Sequence, residues 1–139
     1  MTDVPEGWRE IAPNSPFNSL VGPLYERRDE RTLSIGLRIA AKHTNSRGVC
    51  HGGVLATLAD LALGYAMQAH AKEDRSARFV TAHLSLDLAG AAKVGDWIES
   101  AVQIQRVGTR LAFANGYLVA GGERIVHASA IFARGTKEP

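Results

Sequence analysis

Apolar residues alternate with polar ones in "RTLSIGLRIAA": Leu33, Ile35, Leu37 and Ile39 fall on one side, Thr32, Ser34, Gly36 and Arg38 on the other. A period of two predicts a half-buried strand. "AKHTNSRG" breaks the pattern with loop residues, and the period then lengthens to that of a helix from about Gly53 to His70. From Val54 to His70 only Thr57, Asp60, Gln68 and His70 are strongly polar or chargeable. A helix apolar nearly all round belongs inside a protein, and at 1.5 Å per residue it runs about 25 Å. "AKEDRSAR" reads as a charged connector. "FVTAHLSLDLA" returns to alternation, with Val80, Ala82, Leu84, Leu86 and Leu88 on one face and Thr81, His83, Ser85 and Asp87 on the other.

Three further strand-like runs follow, "WIESAVQIQRV", "TRLAFANGYLVA" and "ERIVHASAIFAR". Gly121-Gly122 between the last two suits a tight hairpin, because such turns demand φ > 0. Residues 1–23 carry Pro5, Pro13, Pro16 and Pro23 and read as an irregular or briefly helical lead-in. The order is strand, long helix, then four strands, the last three in antiparallel succession. An α+β domain in which an antiparallel sheet wraps one long central helix satisfies it. Residues 1–139 read as one such domain, and unpaired sheet edges favour a second copy.

Composition changes this picture little. Sixteen basic against fourteen acidic residues leave a net charge of +2, too even for a nucleic-acid surface. A single cysteine, Cys50, excludes an intrachain disulfide framework and a multi-cysteine metal cluster. "MTDVPEGWRE" has neither a basic nor an apolar leader region, and no run reaches about 18 uninterrupted apolar residues. The expected compartment is the cytoplasm, with no membrane association.

The candidate chemistry lies in the apolar helix. Asp60 sits among Gly53, Ala56, Thr57, Gly64 and Met67 at helical spacing, a mostly small face that lets a ligand or another backbone approach. A buried carboxylate is costly unless paired or hydrogen-bonded, so an Asp held by an arginine or a backbone donor is the bland reading. The helix start, Cys50-His51-Gly52-Gly53, lacks Ser, Thr, Asp or Asn as a cap. Uncapped N–H groups at a positive helix end can receive an anion or a polarised carbonyl oxygen; a plain glycine turn capped by water is the alternative.

"NSRGVCHGGVLATLAD", "FVTAHLSLDLAGAAKVGDWIE" and "RVGTRLAFANGYLVAGGERIV" together resemble the phenylacetic-acid-degradation-type thioesterases of the hotdog fold, over about Leu33 to Ala133. The resemblance implies that Asp60 is the catalytic carboxylate, as general base on water or as nucleophile on the thioester carbonyl. It implies that the Gly52 N–H holds the thioester oxygen, that Asn45 orients the water or the carbonyl, and that His51 shapes the turn near the thioester. Thr81 stands where relatives position the water from a neighbouring subunit. The minimal unit would be a homodimer, with a homotetramer expected. No metal and no cofactor would be needed, coenzyme A being part of the substrate.

Coenzyme A carries phosphates, which basic residues recognise. The candidates are Arg106 and Arg110 around the "VGT" turn with its Gly108 and Thr109, then Lys93, Arg134, and Arg75 or Arg78. Each alone also reads as a solvated surface charge. Gly53, Thr57 and His83 complete the expected substrate-binding set. A Cys50–His51 nucleophile is disfavoured, since adjacent side chains rarely face each other and a lone cysteine is usually a small buried hydrophobe. His43, His51 and His70 are too scattered for zinc. Beside the thioesterase reading stand a non-catalytic acyl-CoA-binding module and a hotdog hydratase or dehydratase, which needs an acid–base pair absent from this motif.

Overall fold

The computed structural model describes residues 3–30, 32–71 and 77–136. The expected candidate Arg75 lies outside them. Seven strands, β1 (Arg9–Ile11), β2 (Leu24–Arg28), β3 (Leu33–Arg38), β4 (Ala77–Leu88), β5 (Trp97–Val107), β6 (Leu111–Ala120) and β7 (Glu123–Thr136), form one sheet in the order β1-β2-β3-β5-β6-β7-β4. Every neighbouring pair is antiparallel. Two helices accompany it, α1 (Pro16–Val21) and the long α2 (Gly52–His70). Gly121 and Gly122, at φ +58° and +81°, make the two-residue turn between β6 and β7, which only positive φ permits without strain.

The sheet curls round α2, which buries Leu55, Leu58, Ala59, Ala62, Leu63, Ala66 and Met67 against Ile35, Leu37, Ile98, Leu118 and Phe132. The spacing of these positions is that of one helix face. The opposite face is not enclosed: Ala56, Thr57, Asp60, Leu61 and Gly64 are half-buried and Gly53 is exposed. The expectation of a helix buried all round is therefore corrected, since one sheet covers one side of a helix.

Two strands escape the alternation pattern. β1 is three residues long, and β2 reads Leu-Tyr-Glu-Arg-Arg, in which the buried Glu26 is held by Arg9 (3.0 Å) and Arg28 (3.1 Å). β3 also departs from its reading as half-buried. Its outer face is covered, because Trp8 and Trp97 stack edge-on (5.2 Å between ring centroids) over Gly36, where an ideal Cβ would lie 2.3 Å from Trp97 Cζ2.

β4 differs most in its phase. A β-bulge between Thr81 and His83 shifts its register against β7. Phe79 and Thr81 thereby face α2 together with Leu84 and Leu86, while Val80 points to solvent at 65% exposure. An uninterrupted alternation puts Thr81 on the wrong side; the inserted residue re-aims it.

Candidate active site

α2 begins at Gly52, and His51 is its N-cap, with Nδ1 accepting the Gly53 N–H at 2.8 Å. The expectation of an uncapped start is thus corrected, an imidazole doing the work of the usual short polar side chain. An amide can only donate, so Nδ1 carries the lone pair and the ring proton sits on Nε2. A Cβ on Gly53 would stand 3.0 Å from Nδ1, so glycine gives the cap its room. The cap satisfies one donor only. The Gly52 N–H has no acceptor among the described residues, while the N–H groups of Val54 and Leu55 turn back to the His51 carbonyl.

A small hairpin delivers the chain to this point. Thr44 bridges Cys50, the Asn45 N–H donates to the Val49 carbonyl at 2.8 Å, and Gly48 closes the tip at φ +78°. Asn45 Oδ1 accepts from the N–H groups of Arg47 (2.9 Å) and Val49 (3.3 Å). Its oxygen is committed to the loop, so only its Nδ2 protons remain to meet a carbonyl or a water.

Eight residues along α2, Asp60 is half-buried on the open side, and Thr81 Oγ1 donates to its Oδ1 at 2.8 Å. The carboxylate is therefore neither buried nor, among the described residues, paired with an arginine, and no described donor meets its Oδ2. The contact is intrachain, whereas the resemblance brings this residue from a neighbouring subunit. Thr57 Oγ1 donates to the Gly53 carbonyl at 2.9 Å. Leu88, at the end of β4, reaches Gly52: an ideal Cβ there would be 3.2 Å from Leu88 Cδ1. Gly52, Gly53, Thr57, Asp60, Thr81 and Leu88 thus line one seam between α2 and β4, and Leu88 is the member that the sequence did not flag.

Other expected residues lie elsewhere. His83, past the bulge, is exposed on the sheet's outer face. Lys93 is exposed beside the hairpin, bridging Val49. Arg106, Gly108, Thr109, Arg110 and Arg134 gather at the opposite end, where Arg134 donates to the Gly108 carbonyl (3.1 Å) and its guanidinium lies 5.9 Å from the Phe79 ring centre. Arg78, in β4 opposite Gly135, belongs to that end too. A single chain does not bring the basic set together.

Cys50 is 5% exposed, and burial pushes its thiol up to about 11; a thiol held protonated is a poor nucleophile. A cavity of about 230 Å³ lies between α1, β1 and Tyr65. Tyr65 is roughly 140° round α2 from Asp60, so this cavity is not the space facing the carboxylate. Among the described residues no group of three His, Cys, Asp or Glu is placed to hold a metal ion.

One antiparallel sheet wrapped round one long helix is the hotdog fold, and the Asp60–Thr81 pair and the His51-capped helix start lie along the open side of that helix. The chain belongs to the thioesterase superfamily, whose family model matches residues 47–127, and is a thioester hydrolase. It is 44% identical over 133 residues to a Pseudomonas aeruginosa protein named "Putative esterase PA0474", covering 95% of this chain and 98% of that one. It is 30% identical over 99 residues to mouse acyl-coenzyme A thioesterase 13, covering 66% and 69%. The fold is shared with the PaaI protein of the Escherichia coli phenylacetic acid degradation operon, at TM-score 0.77 and 20% identity over 89% of this chain and 88% of that one. No helix among the described residues is long and apolar enough to cross a membrane.

Proposed function

We propose that the protein hydrolyses acyl- or aryl-CoA thioesters to the free acid and coenzyme A, with Asp60 as general base or nucleophile and the Gly52 N–H as oxyanion donor. The Asp60–Thr81 hydrogen bond of 2.8 Å carries this reading. It fixes Oδ1 and leaves Oδ2 to take a proton from water or to attack the carbonyl carbon. In the base route, water oxygen bonds to the carbonyl carbon and its proton passes to Asp60. The C–S bond then breaks and the thiolate leaves, to be protonated as coenzyme A. The oxygen turns anionic during attack and is held by the Gly52 N–H, with the Asn45 Nδ2 protons in support.

Eight residues of helix separate Gly52 from Asp60, a rise of about 12 Å. One carbonyl cannot touch both groups of one chain, so two copies complete each site: Asp60 of one protomer with the partner's Gly52. The free edge of β4 and the open face of α2 offer the surface for pairing. A symmetric pairing across them also carries the Arg106–Arg110–Arg134 end of one protomer toward the helix start of the other, beside Lys93, where the phosphates of coenzyme A would lie. A homodimer is then the minimal unit, with a homotetramer as its expected assembly. No cofactor enters the reaction, and the cytoplasm is the proposed compartment.

The test is release of free thiol from short, medium, long and aryl CoA esters, by the wild-type protein and by Asp60→Asn. Asp60→Asn should lower kcat by about 100-fold or more, the scale of a lost general base. A wild-type protein silent on every ester would defeat the substrate class, and an unimpaired Asp60→Asn would remove Asp60 from the chemistry.

A further inference from the structure

His43 is the most enclosed ionisable side chain near the site, at 2% exposure, and both its ring nitrogens are engaged. Nδ1 accepts the Ala40 N–H at 2.9 Å, which fixes the ring proton on Nε2. Nε2 then donates to the Val21 carbonyl, 2.6 Å away at the end of α1. The ring therefore ties two backbone segments 19 residues apart, Val21 and Ala40. Lys42 Nζ adds a second tie, to the Gly22 carbonyl.

The backbone of the same residue faces the site. The His43 carbonyl accepts the His51 N–H at 2.8 Å, at the base of the hairpin that carries Asn45. His51 is the cap of α2, and the Gly52 N–H follows it directly. The other support of this strand is the Cys50 N–H, bonded to the Ala92 carbonyl at 2.7 Å. The direction of the Gly52 N–H is thus set by a carbonyl whose own place is locked by an imidazole.

We propose that His43 is a positioning residue: its ring, clamped between α1 and the Ala41–His43 turn, holds the carbonyl that seats His51 and so aims the Gly52 N–H. This rests on the thioesterase reading for its effect on rate, but the positioning itself is a property of the free protein. Imidazole is suited to the task because it offers an acceptor and a donor on opposite sides of one rigid ring. An aliphatic residue fills the volume and leaves the Ala40 N–H and the Val21 carbonyl unsatisfied, which lets the turn shift. A misplacement of about 1 Å costs a reaction about 100-fold.

The experiment compares His43→Ala, His43→Gln and the core variant Ile98→Val in the full chain, by steady-state kinetics and by the amide resonances and exchange of Gly52 and Gly53. His43→Ala should lose about 10- to 100-fold in kcat with KM changed less than about twofold, with both amides displaced and faster exchanging. His43→Gln, which keeps an acceptor and a donor, should recover part of the loss. Adding His51→Ala to His43→Ala should cost less than it does in the wild-type background, since both act through one helix start. Unmoved Gly52 and Gly53 amides, fully multiplicative effects, or an equal kcat loss in Ile98→Val would overturn the proposal. If the wild-type protein hydrolyses no ester, the thioesterase reading fails by itself, and the amide measurements alone still decide whether His43 positions the helix start.

Discussion

Thr81 shows how much one hydroxyl decides. Its bond to Asp60 Oδ1 chooses which carboxylate oxygen is free. Thr81→Val keeps the shape and removes the donor, so kcat should fall about tenfold, about the worth of a hydrogen bond to a charged group. Thr81→Ser should keep most of the rate, and equal losses in both variants, measured by thiol release, would count against the hydroxyl. Cys50 offers a separate, pH-based test. Its folded-state thiol is pushed from an ordinary 9.0 up to about 11 by burial. Protonated cysteine fits the core and thiolate does not, so this stabilisation is complete below about pH 9 and is lost as pH rises toward 11. Cys50→Ala should therefore flatten the alkaline fall in melting temperature over that window. Asp60 and the glycine-rich helix start stood out as candidates from residue types, and the family resemblance singled out Gly52, whereas the His51 cap was not legible. Histidine is an uncommon N-cap, and only the orientation of its ring shows that Nδ1 reaches the Gly53 N–H.

At the scale of elements, the long regular runs were readable and the short or irregular ones were not. α2 and β6 follow their hydrophobic periods closely, and β5 and β7 do so apart from single register shifts near Ile104 and Val126. β4 hides its facing, because a bulge changes phase without any mark in the composition. β1 and β2 hide because an ion cluster replaces apolar alternation. In that cluster burial would raise the Glu26 carboxyl, but hydrogen bonds and charges from Arg9 and Arg28 outweigh it and hold the pKa below the usual 4.5. A carboxylate with a depressed folded-state pKa stabilises above the unfolded value, and the effect is lost as pH falls through the folded one. Glu26→Gln should therefore melt lower than wild type at neutral pH, the gap closing on acidification below about pH 4.5. A gap that does not depend on pH would mean that packing, and not charge, holds β1 to β2.

The whole molecule adds the constraint that one chain cannot meet. A helix places Gly52 and Asp60 about 12 Å apart along its axis, and the basic residues divide between its two ends. The proposed pairing of two copies with opposed helices would close both gaps at once, and two variants test it. Gly52→Pro deletes the N–H but suits the first helical position, where proline is readily accepted, the extended backbone of His51 (ψ 137°) tolerates a following proline, and the 3.2 Å contact of its Cβ with Leu88 Cδ1 is relieved by a small shift of that exposed side chain. That variant should fold with a melting temperature near that of wild type and lose about 100- to 1,000-fold in kcat, as removal of an oxyanion donor does. Gly52→Pro and Asp60→Asn chains expressed together give the stronger result. In a shared site, each mixed dimer keeps one intact Asp60 facing one intact Gly52 from the partner and one site with neither. Random pairing makes about half the dimers mixed, so activity should return to about one quarter of wild type while either variant alone stays inactive. If both groups served a carbonyl from within one chain, every chain in the mixture would carry a lesion, and co-expression would restore nothing.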